Sequence, residues 1–582
     1  MPSLNRLKVH ILTIVGLSIL AGGLWLSLSP ILVSGQEGTP AERPTVSVIG
    51  RVTDAQGTPV HAADILVYID NEDEPALQVV SHEDGAFVAE LPRTPVVALH
   101  LRVSRPHFET HTYDFDADRL ARLHDGVNVR LPDIILKREI TLGFWVATLV
   151  FAGILIVMAM EKLHNTTATF LGAAIILGFS HVGTLAFGEQ AFIFTFEEAI
   201  SYIDFEVILL VMSMMVVVGI LENTGIFQWM AFMAYRLSQG RTGLLVVILL
   251  AITAMASALL DNVTTMLLIA PISLQIALAL GINPLSLILP EVFAANVGGL
   301  STLIGTPTNI LIGSFAGMSF NDFLVNLTPG VILALVALNF YVQRYFRTEY
   351  SQVDQGVSPA LYARLEENAK IKDAVKLRKG LIVFAVMLLF FLFGDTFGLV
   401  PVVTAMIGAA VFLVWVETDV EAMLRTVDWT TLVFFMALFI AVGAIREVGL
   451  ISILAEALAG VIGDNLLLGL LILTWGPAFI SLVIDDIPVT AAMLPVVGYL
   501  SATLDPLGTH VLFYGFAIGA AMGGNGSLIG AAPNLVAAGI AERAGFSMTY
   551  RGFMRAGLPS MLLTITVGLL WLIFAFFIVG PL

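Results

Sequence analysis

Two hydrophobic patterns divide the chain. Residues 45–136 alternate apolar and polar positions in short runs, such as Asp64-Ile65-Leu66-Val67-Tyr68-Ile69 and Val96-Val97-Ala98-Leu99-His100-Leu101. Turn chemistry separates the runs at Asp54-Ala55-Gln56-Gly57, Asn71-Glu72-Asp73 and Glu83-Asp84-Gly85. A period of two bounded by such turns predicts strands, and here a small β-sandwich of about 90 residues. From residue 139 onward the pattern changes to long apolar runs able to cross the roughly 30 Å hydrocarbon layer of a bilayer.

These runs predict helices near 139–161, 166–187, 205–226, 323–347, 380–397, 400–417, 430–450 and 556–579. Two further runs, 242–280 and 464–500, exceed one crossing and are broken at Asp261-Asn262 and Asp485-Asp486. They read as re-entrant hairpins. The crossings 284–316 and 509–540 are interrupted by Gly298-Gly299-Leu300-Ser301-Thr302-Leu303-Ile304-Gly305-Thr306-Pro307-Thr308-Asn309 and by Gly523-Gly524-Asn525-Gly526-Ser527-Leu528-Ile529-Gly530-Ala531-Ala532-Pro533-Asn534. Residues 11–35 form one more apolar segment, behind Arg6 and Lys8. It is longer than the core of a cleaved signal peptide, so an uncleaved anchor is expected. The fold class expected is a polytopic α-helical membrane protein with about eleven crossings and two hairpins, plus an extracytoplasmic β-sandwich.

The pattern is duplicated. Asp204 and Asp428, Gly219 and Gly443, Gly225 and Gly449, Asp261 and Asp485, and Pro271 and Pro495 each lie 224 positions apart. Cytoplasmic loops carry an excess of Lys and Arg. Placing Arg236 and Arg241, Arg344 and Arg347, and Arg543, Arg551 and Arg555 inside sends the helix at 205–226 inward and its copy at 430–450 outward. The repeats are therefore expected to be inverted. The expected organisation is an N-terminal anchor (1–35), an extracytoplasmic domain (36–137), membrane repeat 1 (138–347), a cytoplasmic linker (348–379) and membrane repeat 2 (380–582). The N-terminus is expected in the cytoplasm, and the bilayer is expected to be a plasma or inner membrane.

Composition agrees with this division. Hydrophobic residues make up 57% and charged residues 13%, and the mean hydropathy is +0.90, which excludes an ordinary soluble protein. The net charge of -17 offers nothing to nucleic acid. Residues 36–137 hold 17 acidic against 9 basic side chains, an acidic solvated surface, and six of the ten histidines without close metal-ligand spacing. No zinc site is expected there. With no nucleophile-base pairing in it, the domain reads as a binding or assembly module for a ligand or partner rather than as an enzyme. With no cysteine, disulfides and thiolate chemistry are excluded.

Carboxylates at membrane depth are costly and mark function, and paired Gly- and Pro-interrupted segments point to the substrate site of a secondary transporter. Backbone may be non-helical at that depth only where it is buried or lines a cavity. The first half offers Asp261, Asn262, Thr264, Thr265, Ser301, Thr302, Gly305, Thr306, Thr308 and Asn309. The second offers Asp485, Asp486, Thr490, Asn525, Ser527, Gly530 and Asn534. Hard oxygen ligands of this kind suit Na⁺ or a proton-carrying carboxylate. The Na⁺ ligands expected are Asp261, Asn262, Asn309, Asp485, Asp486, Asn525 and Asn534. Glu291, after Pro290, is a candidate proton relay. Glu222 and its counterpart Arg446 read as helix-end residues, with an ion pair between them as the alternative. His181 and His510 have no partners in sequence. No cofactor is expected beyond Na⁺ and H⁺, and no enzyme is expected, because neither a His-Glu-x-x-His nor a Gly-x-Ser-x-Gly arrangement occurs in the membrane part.

The tip Leu260-Asp261-Asn262-Val263-Thr264-Thr265 and the two interrupted motifs resemble the ion transporter superfamily over residues 139–582. Its members include ArsB arsenite carriers, NhaD sodium/proton antiporters, citrate and dicarboxylate carriers, and the melanosomal P (pink-eyed dilution) protein. The ending Gly539-Ile540-Ala541-Glu542 is most similar to the P protein branch. The resemblance implies an elevator-like movement and a homodimer. It also implies a Ser-Asn-Thr signature at the hairpin tip for dicarboxylates, where this sequence has Asp261-Asn262-Val263 and Asp485-Asp486-Ile487. That departure favours cation/proton exchange over a dianionic substrate. Cation-coupled carriage of citrate or another small anion, arsenite efflux, and a channel or ligand sensor are the alternatives. Gly50-Arg51-Val52-Thr53-Asp54, followed by Gly57-Thr58-Pro59-Val60 and Ala63, resembles the opening of carboxypeptidase-regulatory-like, transthyretin-like domains.

Overall fold

The computed structural model describes residues 46–351 and 366–580, apart from 56, 71–73, 92–96, 161, 240, 368, 417 and 418. The anchor expected over 1–35 lies outside the described residues, as do the turn at Asn71-Glu72-Asp73 and residues 352–365 and 368 of the linker expected over 348–379. The chain divides into two compact units between Lys137 and Arg138.

In the first unit, strands β1 (Ser47–Asp54), β2 (Asp64–Ile69), β3 (Leu77–Val80), β4 (Ala86–Glu90), β5 (Leu99–Ser104), β6 (His111–Asp114), β7 (Val129–Arg130) and β8 (Ile134–Leu136) form two four-stranded sheets. One runs β3-β2-β5-β6 and is antiparallel throughout; in the other β1 pairs antiparallel with β4 and parallel with β7 and β8. Alternation drives the packing. Ile65, Val67 and Ile69 of β2 and Leu99, Leu101 and Val103 of β5 share one buried cluster with Val48, Val52, Phe87 and Ala89 of the other sheet. Each of these side chains larger than alanine contributes about 1.5–3 kcal/mol when fully buried. The sequence pattern missed a helix here, Ala117–His124, which Asp116 caps by accepting a hydrogen bond from the Arg119 amide.

In the second unit, described residues include eight helices long and apolar enough to cross a membrane, or nine if the bent pair Phe320–Asn326 and Thr328–Tyr345 is one span. That number includes helices flanking the Asp261 and Asp485 breaks and leaves out those flanking the two Gly-rich breaks, which are shorter. The single helix expected near 323–347 is thus two helices meeting at 48°. The helix expected from 380 starts at Ala374 instead. Asp373 caps it through the amides of Val375 and Lys376, so residues 374–379 belong to the helix rather than to the linker.

Element boundaries repeat as the sequence does. Phe205–Asn223 and Trp429–Glu447, Ile226–Ser238 and Leu450–Ile462, and Asn262–Leu280 and Asp486–Leu504 each start and stop 224 positions apart. The middle pair was not expected from the sequence. Each helix is 13 residues long and buries one face, Phe227, Ala231, Tyr235 and Ser238 in one case and Ile451, Ala455 and Ile462 in the other. Each begins after a glycine in the left-handed region, Gly225 at φ 83° and Gly449 at φ 92°, where a side chain would be strained. Because lipid is as apolar as leucine, helices in a membrane associate through close packing and polar bonds. The polar bonds here concentrate at the breaks.

Candidate functional site

The first hairpin is Thr242–Leu259 and Asn262–Leu280, joined by Leu260 and Asp261. A helix start leaves amides unpaired, and Asp261 takes up one of them, the Thr264 amide at 2.8 Å, while the Thr264 hydroxyl donates to its other oxygen at 2.5 Å. The second hairpin is Leu466–Ile480 and Asp486–Leu504. Asp485 caps its returning arm through the Ile487 amide, and its side chain reaches that of Asp486. Thr490 donates to the Asp486 carbonyl at 2.8 Å. Asp486 itself is buried.

The two helices interrupted by Gly-rich breaks are built on one plan. The first comprises Leu285–Gly299 and Pro307–Ala316, the second Val511–Gly523 and Ala532–Arg543. Asn309 donates through Nδ2 to the carbonyls of Gly299 (3.1 Å) and Thr302 (2.7 Å). Asn534 donates in the same way to Gly524 and Ser527, both at 2.8 Å. The Thr302 hydroxyl donates to the Ala258 carbonyl, and the Ser527 hydroxyl donates to the Leu482 carbonyl at 2.6 Å, tying each break to its own hairpin. A β-carbon at Gly305 would collide with the carbonyl oxygens of Gly299 and Ser257, and one at Gly530 with those of Ser481 and Gly524. Thr306 caps the first outgoing half-helix through the Asn309 amide at 3.1 Å. Ala531, at the start of the second, offers no side-chain cap. Ser301 accepts from the Thr328 hydroxyl through its carbonyl. The Thr265 hydroxyl is buried without a partner.

Hydrogen bonds join the four breaks. Asn262 donates to Asn296 Oδ1 at 3.0 Å, and Asn296 Nδ2 donates to Asn525 Oδ1 (2.9 Å) and Asn534 Oδ1 (3.2 Å). Asn525 donates in turn to the Phe293 carbonyl at 3.3 Å. Across the other diagonal, the Thr308 hydroxyl donates to Asp486 Oδ2 at 3.2 Å. Asn296, the hub of this network, was not singled out from the sequence. A lone asparagine in the apolar run Phe293-Ala294-Ala295-Asn296-Val297 just before a Gly-Gly break was the available signal.

Asp261 stands apart from the other tip: among the described residues no three His, Cys, Asp or Glu side chains gather into a metal-holding group. Glu291 is buried, with one oxygen accepting from the Ser273 hydroxyl at 2.5 Å and the other unpartnered. Glu222 lines a cavity of about 450 Å³ with Gln228, Pro271 and Gln275 and interacts with Lys372. No ion pair joins it to Arg446 among the described residues. His181 is exposed, and His510 packs at 6.0 Å from Phe513.

The family model described as citrate transporter matches residues 154–519. A 46 kDa membrane protein of Mycobacterium leprae is 35% identical over 430 residues, covering 73% of this chain and 98% of that one. The chain belongs to the citrate transporter family. It is an integral membrane protein and a transporter, and the resemblance drawn from the broken-helix motifs is borne out. The P protein of Homo sapiens is 32% identical over 526 residues, covering 76% of this chain and 61% of that longer one. Among solved structures, the Alcanivorax borkumensis YdaH transporter is similar at 16% identity with a TM-score of 0.47, over 76% of this chain and 98% of that one.

Proposed function

We propose that this family member is a secondary active transporter that exchanges Na⁺ for H⁺. The observation that carries this reading is Asp486. It is a buried carboxylate at the tip of one hairpin, bonded by Thr308 of the opposite break and beside Asp485, with no basic side chain against it among the described residues. Like charges at such proximity are relieved by a cation or by a proton. Competition of the two for one site obliges exchange. In the break facing it, the Thr308 hydroxyl and the Asn309 side-chain oxygen supply further hard oxygen chemistry, and Glu291 with Ser273 is the proton relay of the same proposal.

Two inverted repeats, about eleven crossings, a cytoplasmic N-terminus, an extracytoplasmic β-sandwich and a homodimeric scaffold with an elevator-like moving body complete the reading. Element boundaries recurring at 224 positions support the repeats, and the Lys and Arg bias of the loops supports the orientation.

Proteoliposomes holding a pH-sensitive dye, challenged with Na⁺, Li⁺, K⁺, citrate or arsenite, test it. Na⁺ or Li⁺ should move protons in the unmodified chain and fail to do so in Asp486→Asn. Uptake of an anion without Na⁺-driven proton movement would sink the proposal. A second reading, cation-coupled carriage of a small carboxylate, is favoured by the family's description and by the half-helix Ala532–Arg543, whose positive end lacks a side-chain cap.

A further inference from the structure

The two breaks share a plan but are finished differently. Asn309 and Asn534 each spend their amide nitrogen on two carbonyls of their own break. Their side-chain oxygens are therefore left in equivalent places. In the second half that oxygen is filled: Asn296 Nδ2 donates to Asn534 Oδ1 and also to Asn525 Oδ1. In the first half it is open: Asn309 is fully buried and its Oδ1 has no partner. The interrupted motifs align at an offset of 225, which places Ala521 where Asn296 would have its counterpart. A methyl group donates nothing.

A carboxamide NH₂ held between two carbonyl oxygens presents them with partial positive charge, as a small cation would. The hairpin tips follow the same division. Asn262 and Asp486 occupy matching positions 224 apart. The neutral amide bonds to Asn296, on the filled side, whereas the carboxylate bonds to Thr308, next to the open Asn309. The filled side thus carries one carboxylate at its tip, Asp261, which is bonded by its own Thr264, whereas the open side carries two, Asp485 and Asp486.

We propose that the chain binds a single cation, at Asp486, Thr308 and Asn309, and that the Asn296 carboxamide stands permanently where the duplicated architecture would hold a second. This rests on the cation reading above and fixes its coupling ion at one per chain. Oxygen-only ligation of this kind selects Na⁺ or Li⁺ over softer metals.

The test counts ²²Na⁺ bound to the purified full chain in detergent. One ion per chain is expected. Asn309→Ala should weaken binding at least about tenfold, the loss of one neutral oxygen contact to a cation. Asn296→Ala should raise the count toward two by uncovering Asn534 and Asn525. Two ions bound to the unmodified chain overturn the single-site assignment while leaving cation coupling intact, and a folded Asn296→Ala protein that still binds one overturns the stand-in role of Asn296. No bound Na⁺ in the unmodified chain overturns the cation reading itself. If Asn296→Ala does not fold, the unmodified count and the Asn309→Ala affinity decide between these outcomes.

Discussion

The two hairpin tips stand 224 positions apart at the start of helices of equal length, Asn262–Leu280 and Asp486–Leu504, yet their side chains have gone different ways. In the first, Asp261 bonds its own Thr264, and the amide of Asn262 enters a network of asparagines. In the second, Asp485 and Asp486 crowd together and Asp486 meets a hydroxyl from the opposite half. The backbone was copied closely; the chemistry was not. What the halves share reports on architecture, and what they do not share is where the proposed ion site sets them apart.

The strongest way to break the comparison is at its common ground. Gly305→Ala and Gly530→Ala should each destabilise the protein by about 3 kcal/mol, because the new methyl meets backbone rather than a yielding side chain. The thermal midpoints of the two variants should fall together, and a drop in only one would show that the breaks are not built alike. Next in size, Asp486→Asn should cut Na⁺-driven proton movement about tenfold or more. Asp261→Asn should lose less, since its local cap survives as an asparagine. Equal losses in dye-loaded vesicles would erase the distinction between the tips.

Smaller effects sharpen the same contrast at the paired helix caps. Asp204 accepts from the Val207 amide and also from the Ser314 hydroxyl at 2.6 Å, linking two elements. Asp428 is bonded only within its own turn, by the amides and hydroxyls of Thr430 and Thr431. Asp428→Ala should cost about 1 kcal/mol, within the usual range for an N-cap, and Asp204→Ala toward 2 kcal/mol. Denaturation of the purified variants measures both.

The smallest effect is one of pH. Partial burial raises the Asp428 carboxyl, but the hydrogen bonds from Thr430 and Thr431 outweigh it and hold the group below its ordinary value of 3.8. A depressed carboxyl stabilises the fold above the unfolded value and loses that contribution as pH falls through the folded one. The margin of the unmodified chain over Asp428→Asn should therefore be flat from neutral pH down to about 4 and shrink below it.

Much of this was legible in the sequence because the signals were coarse and repeated. Long apolar runs, Asp-Asn and Asp-Asp in the middle of two of them, and paired Gly-rich motifs located the four helix breaks to within a few residues. Asn296 was not legible for the opposite reason. A search for matching positions passes over a residue whose counterpart is alanine, and a single amide in an apolar run looks like packing. The helices Ile226–Ser238 and Leu450–Ile462 were hidden because 13 residues are too few to span a bilayer. The helix from Ala374 was cut short because Lys376, Arg378 and Lys379 read as linker. Long basic side chains can carry their charge away from an apolar helix surface, so a helix continues through them.

The crowding at Gly305 and Gly530 also bears on the history of the chain. After a duplication, each copy is released to drift, but only in directions its geometry leaves open. An asparagine can become an aspartate at a tip, or an alanine stand opposite an asparagine, without moving a backbone atom. The glycine in each break has no such freedom, because carbonyl oxygens occupy the space that any side chain needs. The glycines thus fix a frame common to both halves, and within it the side chains of the two copies were free to part.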